Sequence, residues 1–281
     1  MRNVSPDLFA WVAVDGRPGQ LVPVEDARIS VRDRGVTIGE GIFETCKVVA
    51  GQAVALTRHL ERMTRGAASL SLTPPAMQDV REGVTAVLKS STPRIALGRL
   101  RITVTAGEPH SPLSTLIVTA HAIEPWPPQT SAILAPWVRN ERSPLAGVKS
   151  TSYAENAVAL AFARTHGVSE ALLANTHGAL CEGTASNVFG IRDGRLVTPS
   201  LETGCLPGVT RELVLEWFGG AEVIEDPHTF IESVDEAFLT SSTRDVHPLT
   251  RLDEREWTAV GPVAARLAQE FQQRLSDDID P

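Results

Sequence analysis

A chain of 281 residues, 42% hydrophobic and 21% charged, has the length of two ordinary domains and the composition of a globular protein. Its formal net charge of −8 argues against non-specific nucleic-acid binding, which needs a basic footprint. No apolar run reaches the roughly 18 residues of a membrane helix, and Met1–Asp7 lacks the apolar core of a signal peptide.

Short strands are predicted over 8–24, around a turn at Asp15-Gly16-Arg17-Pro18-Gly19. Leu56, Leu60, Met63, Ala67 and Leu70 recur at helical spacing, which predicts a helix over 57–71; a second is expected over 76–90. Arg99–Thr105 alternates strictly, so a strand there puts Leu100, Ile102 and Val104 on one face and Arg99, Arg101, Thr103 and Thr105 on the other. Another strand is expected over Leu116–Ala120. The three prolines of Glu124-Pro125-Trp126-Pro127-Pro128 lack backbone donors and restrict their neighbours, so the segment reads as an interdomain linker over 121–130. Beyond it, strands are predicted at 133–137, 171–174, 179–182, 187–191, 195–198 and 237–240, with Asp193-Gly194 as a hairpin turn. Helices are expected over 152–166, 211–218 and 262–276, the last opened by Pro262. The expected organisation is two α+β domains, 1–120 and 131–281.

Three cysteines, Cys46, Cys181 and Cys205, without C-x-x-C spacing suggest reduced thiols and a cytoplasmic setting. Seven histidines without an H-x-x-x-H pair give no support for a metal centre.

Four segments carry the chemistry: Lys149 in Gly147–Tyr153, Glu182 in Cys181–Phe189, Leu206-Pro207-Gly208-Val209-Thr210-Arg211, and Thr240-Ser241-Ser242-Thr243-Arg244-Asp245. Singly, each has a plain explanation: a solvated lysine, an exposed turn carboxylate, a helix N-cap and a hydroxyl-bonded turn. Together they are what a pyridoxal phosphate site needs. Lysine forms the Schiff base, a carboxylate keeps the pyridine nitrogen protonated, and hydroxyls with helix N–H groups hold the phosphate.

In this order, and with Asp33-Arg34-Gly35-Val36-Thr37-Ile38-Gly39-Glu40-Gly41-Ile42-Phe43-Glu44-Thr45 matching a D-R-G-x-x-x-G-[DE]-G-x-[FY]-E pattern, the sequence resembles the class IV aminotransferases, the fold type IV pyridoxal phosphate enzymes. The resemblance implies an α+β chain with a small N-terminal α/β domain and a larger C-terminal domain around a barrel-like core, working as a homodimer on amino acids and 2-oxo acids. It assigns Lys149 as the catalytic amine and Glu182 to the pyridine nitrogen. Arg58, Val209, Thr210, Ser241 and Ser242 fall to the cofactor phosphate. Phe43, Arg99, Arg101 and His110 fall to the substrate, with Arg101 or Arg99 as the carboxylate anchor. The donor would be a D-amino acid or a branched-chain amino acid. Two further readings stay open: 4-amino-4-deoxychorismate lyase, on the same cofactor residues, and a non-catalytic pyridoxal phosphate carrier.

Overall fold

The computed structural model describes residues 8–14, 16–257 and 260–281. Asp15 of the expected turn, and the Met1–Asp7 stretch read against a signal peptide, lie outside the described residues. The chain divides into two compact units: residues through Pro125 with Val148–Ser152 and Ile279–Pro281, and Trp126–Gly147 with Tyr153–Asp278. The division is discontinuous where the sequence suggested two contiguous stretches, and it puts Lys149 in the first unit.

The first unit holds β1 (Phe9–Ala13), β2 (Gln20–Pro23), a short α1 (Arg34–Thr37), β3 (Gly41–Val49), β4 (Gln52–Ala53), α2 (Leu56–Ser69), α3 (Met77–Ser90), β5 (Leu97–Thr105) and β6 (Thr115–Ala122). The strands form an antiparallel sheet in the order β2-β1-β6-β5-β3-β4. The alternation in β5 does what its pattern predicts: Leu100, Ile102 and Val104 lose all solvent contact in a core shared with Leu60 and Met63 of α2 and Val80 and Val84 of α3. Burying a side chain of that size contributes about 1.5–3 kcal/mol. Arg99 and Arg101 stay exposed on the other face. Thr105 does not; it is buried, and its hydroxyl donates to Asp33 Oδ2 (2.8 Å), the residue that caps α1.

The second unit holds β7 (Thr130–Arg139), α4 (Ala154–Thr165), β8 (Glu170–Asn175), β9 (Leu180–Gly183), β10 (Asn187–Arg192), β11 (Arg195–Pro199), α5 (Val209–Phe218), β12 (Ala221–Val223), α6 (Pro227–Ser233), β13 (Glu236–Ser241), β14 (Asp245–Leu252), β15 (Arg255–Glu256) and α7 (Pro262–Asp277). Its mixed sheet runs β12-β11-β10-β13-β14-β7-β8-β9, with β15 on β14. The two ends of that path meet where Leu180 N–H of β9 donates to the carbonyl of Glu225 just beyond β12 (2.7 Å), which gives the sheet its barrel-like curl. Phe189 and Phe238, opposite each other in β10 and β13, stack at 5.0 Å in the core. Ala264, Leu267, Phe271 and Leu275 bury one stripe of α7, and Glu236 caps its start by accepting from Val263 and Ala264 N–H.

Several boundaries differ from the sequence reading, and two of them shape the connection between the units and the start of α5. β6 runs to Ala122 and β7 starts at Thr130, which shortens the irregular connection. α5 starts at Val209 rather than Arg211, because the apolar Val209 side chain is drawn into the core (3% exposed). Among the described residues, no helix is long and apolar enough to cross a membrane.

Candidate active site

In the first unit, the Lys149 segment adds itself to the edge of β3. Phe43 N–H donates to the Lys149 carbonyl (2.9 Å), Thr151 N–H donates to the Gly41 carbonyl (2.8 Å), and Ile42 pairs with Ser150 in an isolated antiparallel bridge. Glycine at 41 permits this: a Cβ there would come within 2.7 Å of the Val104 carbonyl oxygen. Main-chain bonds therefore fix the Lys149 backbone. Lys149 Nζ stands 4.4 Å from the centre of the Phe43 ring, and Arg101 Cζ 3.8 Å from the same centre. Arg101 Nε donates to Thr103 Oγ1 (3.1 Å).

Arg99, two residues along the same face, is engaged differently. Its Nε donates to His121 Nε2 (3.3 Å), and partial burial together with this cation lowers the His121 pKa. His110 is exposed, in a left-handed backbone conformation (φ 68°). It lines a cavity of about 270 Å³ with Arg34, Glu40 and Ser111; Phe43, Arg101 and Lys149 are not in that lining.

On the opposite face of β3, Glu44 is buried with both oxygens occupied. Arg62 Nε donates to Oε1 (2.9 Å), Arg62 Nη2 to Oε2 (2.6 Å), and His59 Nδ1 meets Oε2 at 2.7 Å. Burial works to raise the Glu44 pKa, but the Arg62 charge and the hydrogen bonds from His59 and Arg62 outweigh it and hold the group at about 2. The His59 pKa is lowered, chiefly by its own burial. Arg58 lies half-buried on the first turn of α2, where its Nε donates to the Pro281 carbonyl (2.8 Å).

In the second unit, one run of contacts joins the other candidates. Glu182, in β9 and 8% exposed, accepts the Leu206 N–H at Oε2 (2.9 Å). Its Oε1 lies 3.3 Å from Arg139 Nε, close enough for an ion pair but not aligned as a hydrogen bond. The Leu206 carbonyl accepts from Asn187 Nδ2 (2.9 Å). Asn187 Oδ1 presses on Gly208, where a Cβ would approach within 2.1 Å, so glycine is required at the start of α5. That start has no side-chain cap, and Val209, Thr210 and Arg211 are all buried there. Uncapped N–H groups at the positive end of a helix suit a phosphate. Asn187 also faces Thr240 in register; the Thr240 hydroxyl is buried with no hydrogen-bond partner. Ser241 and Ser242 follow, half-buried, and Ser241 accepts the Arg244 N–H at its carbonyl (3.1 Å) and Oγ (3.3 Å).

Behind these turns, Glu170 is fully buried and accepts from Thr184 N–H (3.0 Å), the Thr184 hydroxyl and Ser186 Oγ (2.9 Å), with Arg244 Nη2 3.9 Å away. Tyr153 Oη and Asn156 Nδ2 both donate to the Thr184 carbonyl (2.6 and 2.7 Å), and burial pushes the Tyr153 phenol well above its ordinary pKa, so it stays a donor. Sequence reasoning missed Arg139, Asn187 and Glu170 as parts of this arrangement. Asn187 lies inside a run that was singled out; Arg139 and Glu170 leave no local signal.

The chain matches the family described as amino-transferase class IV over residues 41–252. It is 28% identical over 274 residues to a D-alanine aminotransferase of Staphylococcus epidermidis, covering 92% of this chain and 96% of that one. It is 30% identical over 269 residues to a Methanocaldococcus jannaschii protein with a provisional branched-chain-amino-acid aminotransferase name, covering 90% of this chain and 93% of that one. A fold IV transaminase from Curtobacterium pusillum superposes with a TM-score of 0.84 at 26% identity, over 95% of this chain and 98% of the other. The fold, the lysine hung on β3 and the acid and phosphate-type turns of the second unit thus meet an extensive sequence match, and the chain belongs to the class IV aminotransferases, enzymes that work with pyridoxal 5'-phosphate.

Proposed function

We propose that this enzyme moves an amino group between an aliphatic amino acid, of D-alanine or branched-chain type, and a 2-oxo acid, with Lys149 as catalytic amine and Arg101 as anchor for the substrate carboxylate. The carrying observation is the shared Phe43 ring, which brings an amine and a guanidinium within 4.4 Å and 3.8 Å of one centre. A guanidinium binds a carboxylate through parallel charge-assisted hydrogen bonds. Arg101 is preferred to Arg99 because Arg99 is committed to His121.

The residues fit the cofactor. The uncapped, buried start of α5 and the orphaned Thr240 hydroxyl are donors awaiting an anion, and the Gly208 backbone lies where no side chain has room. Val209, Thr210, Ser241, Ser242 and Arg58 would hold the phosphate, and Glu182 would accept the pyridinium N–H. Bound pyridoxal 5'-phosphate supplies an electron sink that labilises the bonds of the substrate α-carbon. Lys149 Nζ would take the proton from that carbon as base and deliver it to the cofactor's C4′ as acid. Arg101 fixes the carboxylate so that the α-proton is offered to that amine. The same family reading makes the enzyme a cytoplasmic homodimer; the buried free thiols of Cys46, Cys181 and Cys205 support a reducing compartment, and light scattering tests the dimer.

The test is an amino-donor panel containing both enantiomers of alanine, valine, leucine and isoleucine, with a 2-oxo acid acceptor. Amino transfer from one aliphatic set is expected. Failure to transfer from any donor, with pyruvate released from 4-amino-4-deoxychorismate instead, would replace this reading with the lyase.

A further inference from the structure

The start of α2 is held by residues more than 220 positions away. Its N-cap residue, Ala55, adopts a left-handed conformation (φ 50°, ψ 37°) and makes no side-chain cap bond. Ile279–Pro281 takes over that task. The Ile279 carbonyl accepts the Ala55 N–H (2.8 Å), Asp280 Oδ1 accepts the Thr57 N–H (2.7 Å), and Asp280 Oδ2 accepts the Thr57 hydroxyl (2.6 Å). The Pro281 carbonyl accepts Arg58 Nε (2.8 Å), and Thr57 Oγ1 also receives Arg81 Nη2 from α3 (2.9 Å). A carboxylate at a helix N-terminus caps the first turn and complements the helix dipole.

We propose that Ile279–Pro281 is a positioning strap for the cofactor phosphate: it sets the plane of the Arg58 guanidinium and so raises affinity for the phosphorylated cofactor. The inference rests on the reading of Arg58 as a phosphate ligand. A guanidinium offers five donors in a fixed fork. Tying Nε to Pro281 removes the rotation about the end of the side chain, so the orientation of the fork is settled before the phosphate arrives. Preorganisation of that kind appears as affinity, because ordering the side chain no longer costs binding energy. The three residues also answer a structural question, since they leave α7 and belong with the first unit, where α2 lies.

The test uses full-length apoenzyme and the dissociation constants of pyridoxal 5'-phosphate and of pyridoxal, which lacks the phosphate. Arg58→Ala comes first: if it leaves the affinity for pyridoxal 5'-phosphate unchanged, the reading of Arg58 fails. With that reading intact, Asp280→Ala should weaken pyridoxal 5'-phosphate about five- to tenfold and leave pyridoxal unchanged. Asp280→Asn, which keeps an oxygen for the Thr57 N–H, should fall between wild type and Asp280→Ala, and it decides the matter if Asp280→Ala does not fold. The double variant Arg58→Ala/Asp280→Ala should bind no more weakly than Arg58→Ala alone, because the strap acts through Arg58. Equal weakening of both ligands, additive losses in the double variant, or tighter binding after Asp280→Ala would each overturn the proposal.

Discussion

Glu44 and Glu182 are both buried carboxylates, each beside an arginine, yet they are held in different ways. Glu44 sits between β3 and α2 with Arg62 bridging both oxygens and His59 on one of them, at 2.6–2.9 Å. Glu182 takes a main-chain N–H from Leu206 on one oxygen and has Arg139 at 3.3 Å, off hydrogen-bond alignment, from the other. The first carboxylate is a clamp whose partners are its own fold. The second is oriented by a loop that leads to the phosphate-type start of α5. On the proposed assignment, burial and charge do not distinguish the two carboxylates, whereas the kind of donor does.

Lys149→Ala sets the scale for that comparison. It should abolish turnover and the visible absorbance of bound cofactor, with the circular dichroism of the fold retained, since the segment is held by main-chain bonds. An unchanged spectrum would remove the basis for the proposed role of Lys149. Glu182→Gln should slow the chemical step about a hundredfold or more while the melting temperature moves little, because the amide oxygen still accepts the Leu206 N–H. Full activity in that variant would make Glu182 a second clamp. Glu44→Gln should behave in reverse, costing about 3–5 kcal/mol of stability by leaving Arg62 buried without its counter-ion, with kcat within a few-fold of wild type. Denaturant unfolding beside steady-state kinetics separates the two.

Acid sharpens the contrast. The folded pKa of Glu44, at about 2, lies below its ordinary 4.5, so its contribution is complete above pH 4.5 and is lost as pH falls toward 2. His59, also depressed, acts in the same direction, with loss beginning as pH falls below 6.5. Stability of the wild type should therefore decline between pH 4.5 and 2, where Glu44 titrates, more steeply than that of Glu44→Gln; parallel curves there would show that Glu44 titrates alike in folded and unfolded chains. The smallest effect belongs to Arg101→Leu: KM for amino and oxo acids should rise about ten- to a hundredfold, with simple amines unaffected and cofactor absorbance intact. Equal losses for acids and amines would return the anchor role to Arg99.

The sequence pattern made the clamp invisible and Glu182, the acid proposed for the cofactor's pyridine nitrogen, visible. Lys149, Glu182 and the turns at Gly208 and Ser241 stand in runs of small and hydroxyl residues whose order carries a family resemblance. The α2 and β5 patterns likewise gave their buried faces, since Leu60, Met63 and Leu100–Val104 obey simple periods. His59 and Arg62 do not; charged residues on the inner face of a helix read as solvated until a partner on another strand is known. Arg139 meets Glu182 across 43 positions and Asp280 meets Thr57 across 223, and no local spacing encodes either pairing. The start of α5 was misplaced by two residues because Val209 is drawn inward by tertiary packing rather than by a capping signal.

The outer edge of β3 has a consequence for how the protein is made. Near Gly41–Phe43 that edge is covered by residues 149–151, and the start of α2 by residues 279–281. A nascent chain that has emerged only as far as β6 carries all six strands of the first sheet but leaves β3 with unpaired main-chain groups. Exposed strand edges invite pairing with other chains. Closure of that edge must wait for about thirty more residues, from Ala122 at the end of β6 to Thr151, and fixation of α2 for residues 279–281, so the edge stays open to other chains over that interval of synthesis.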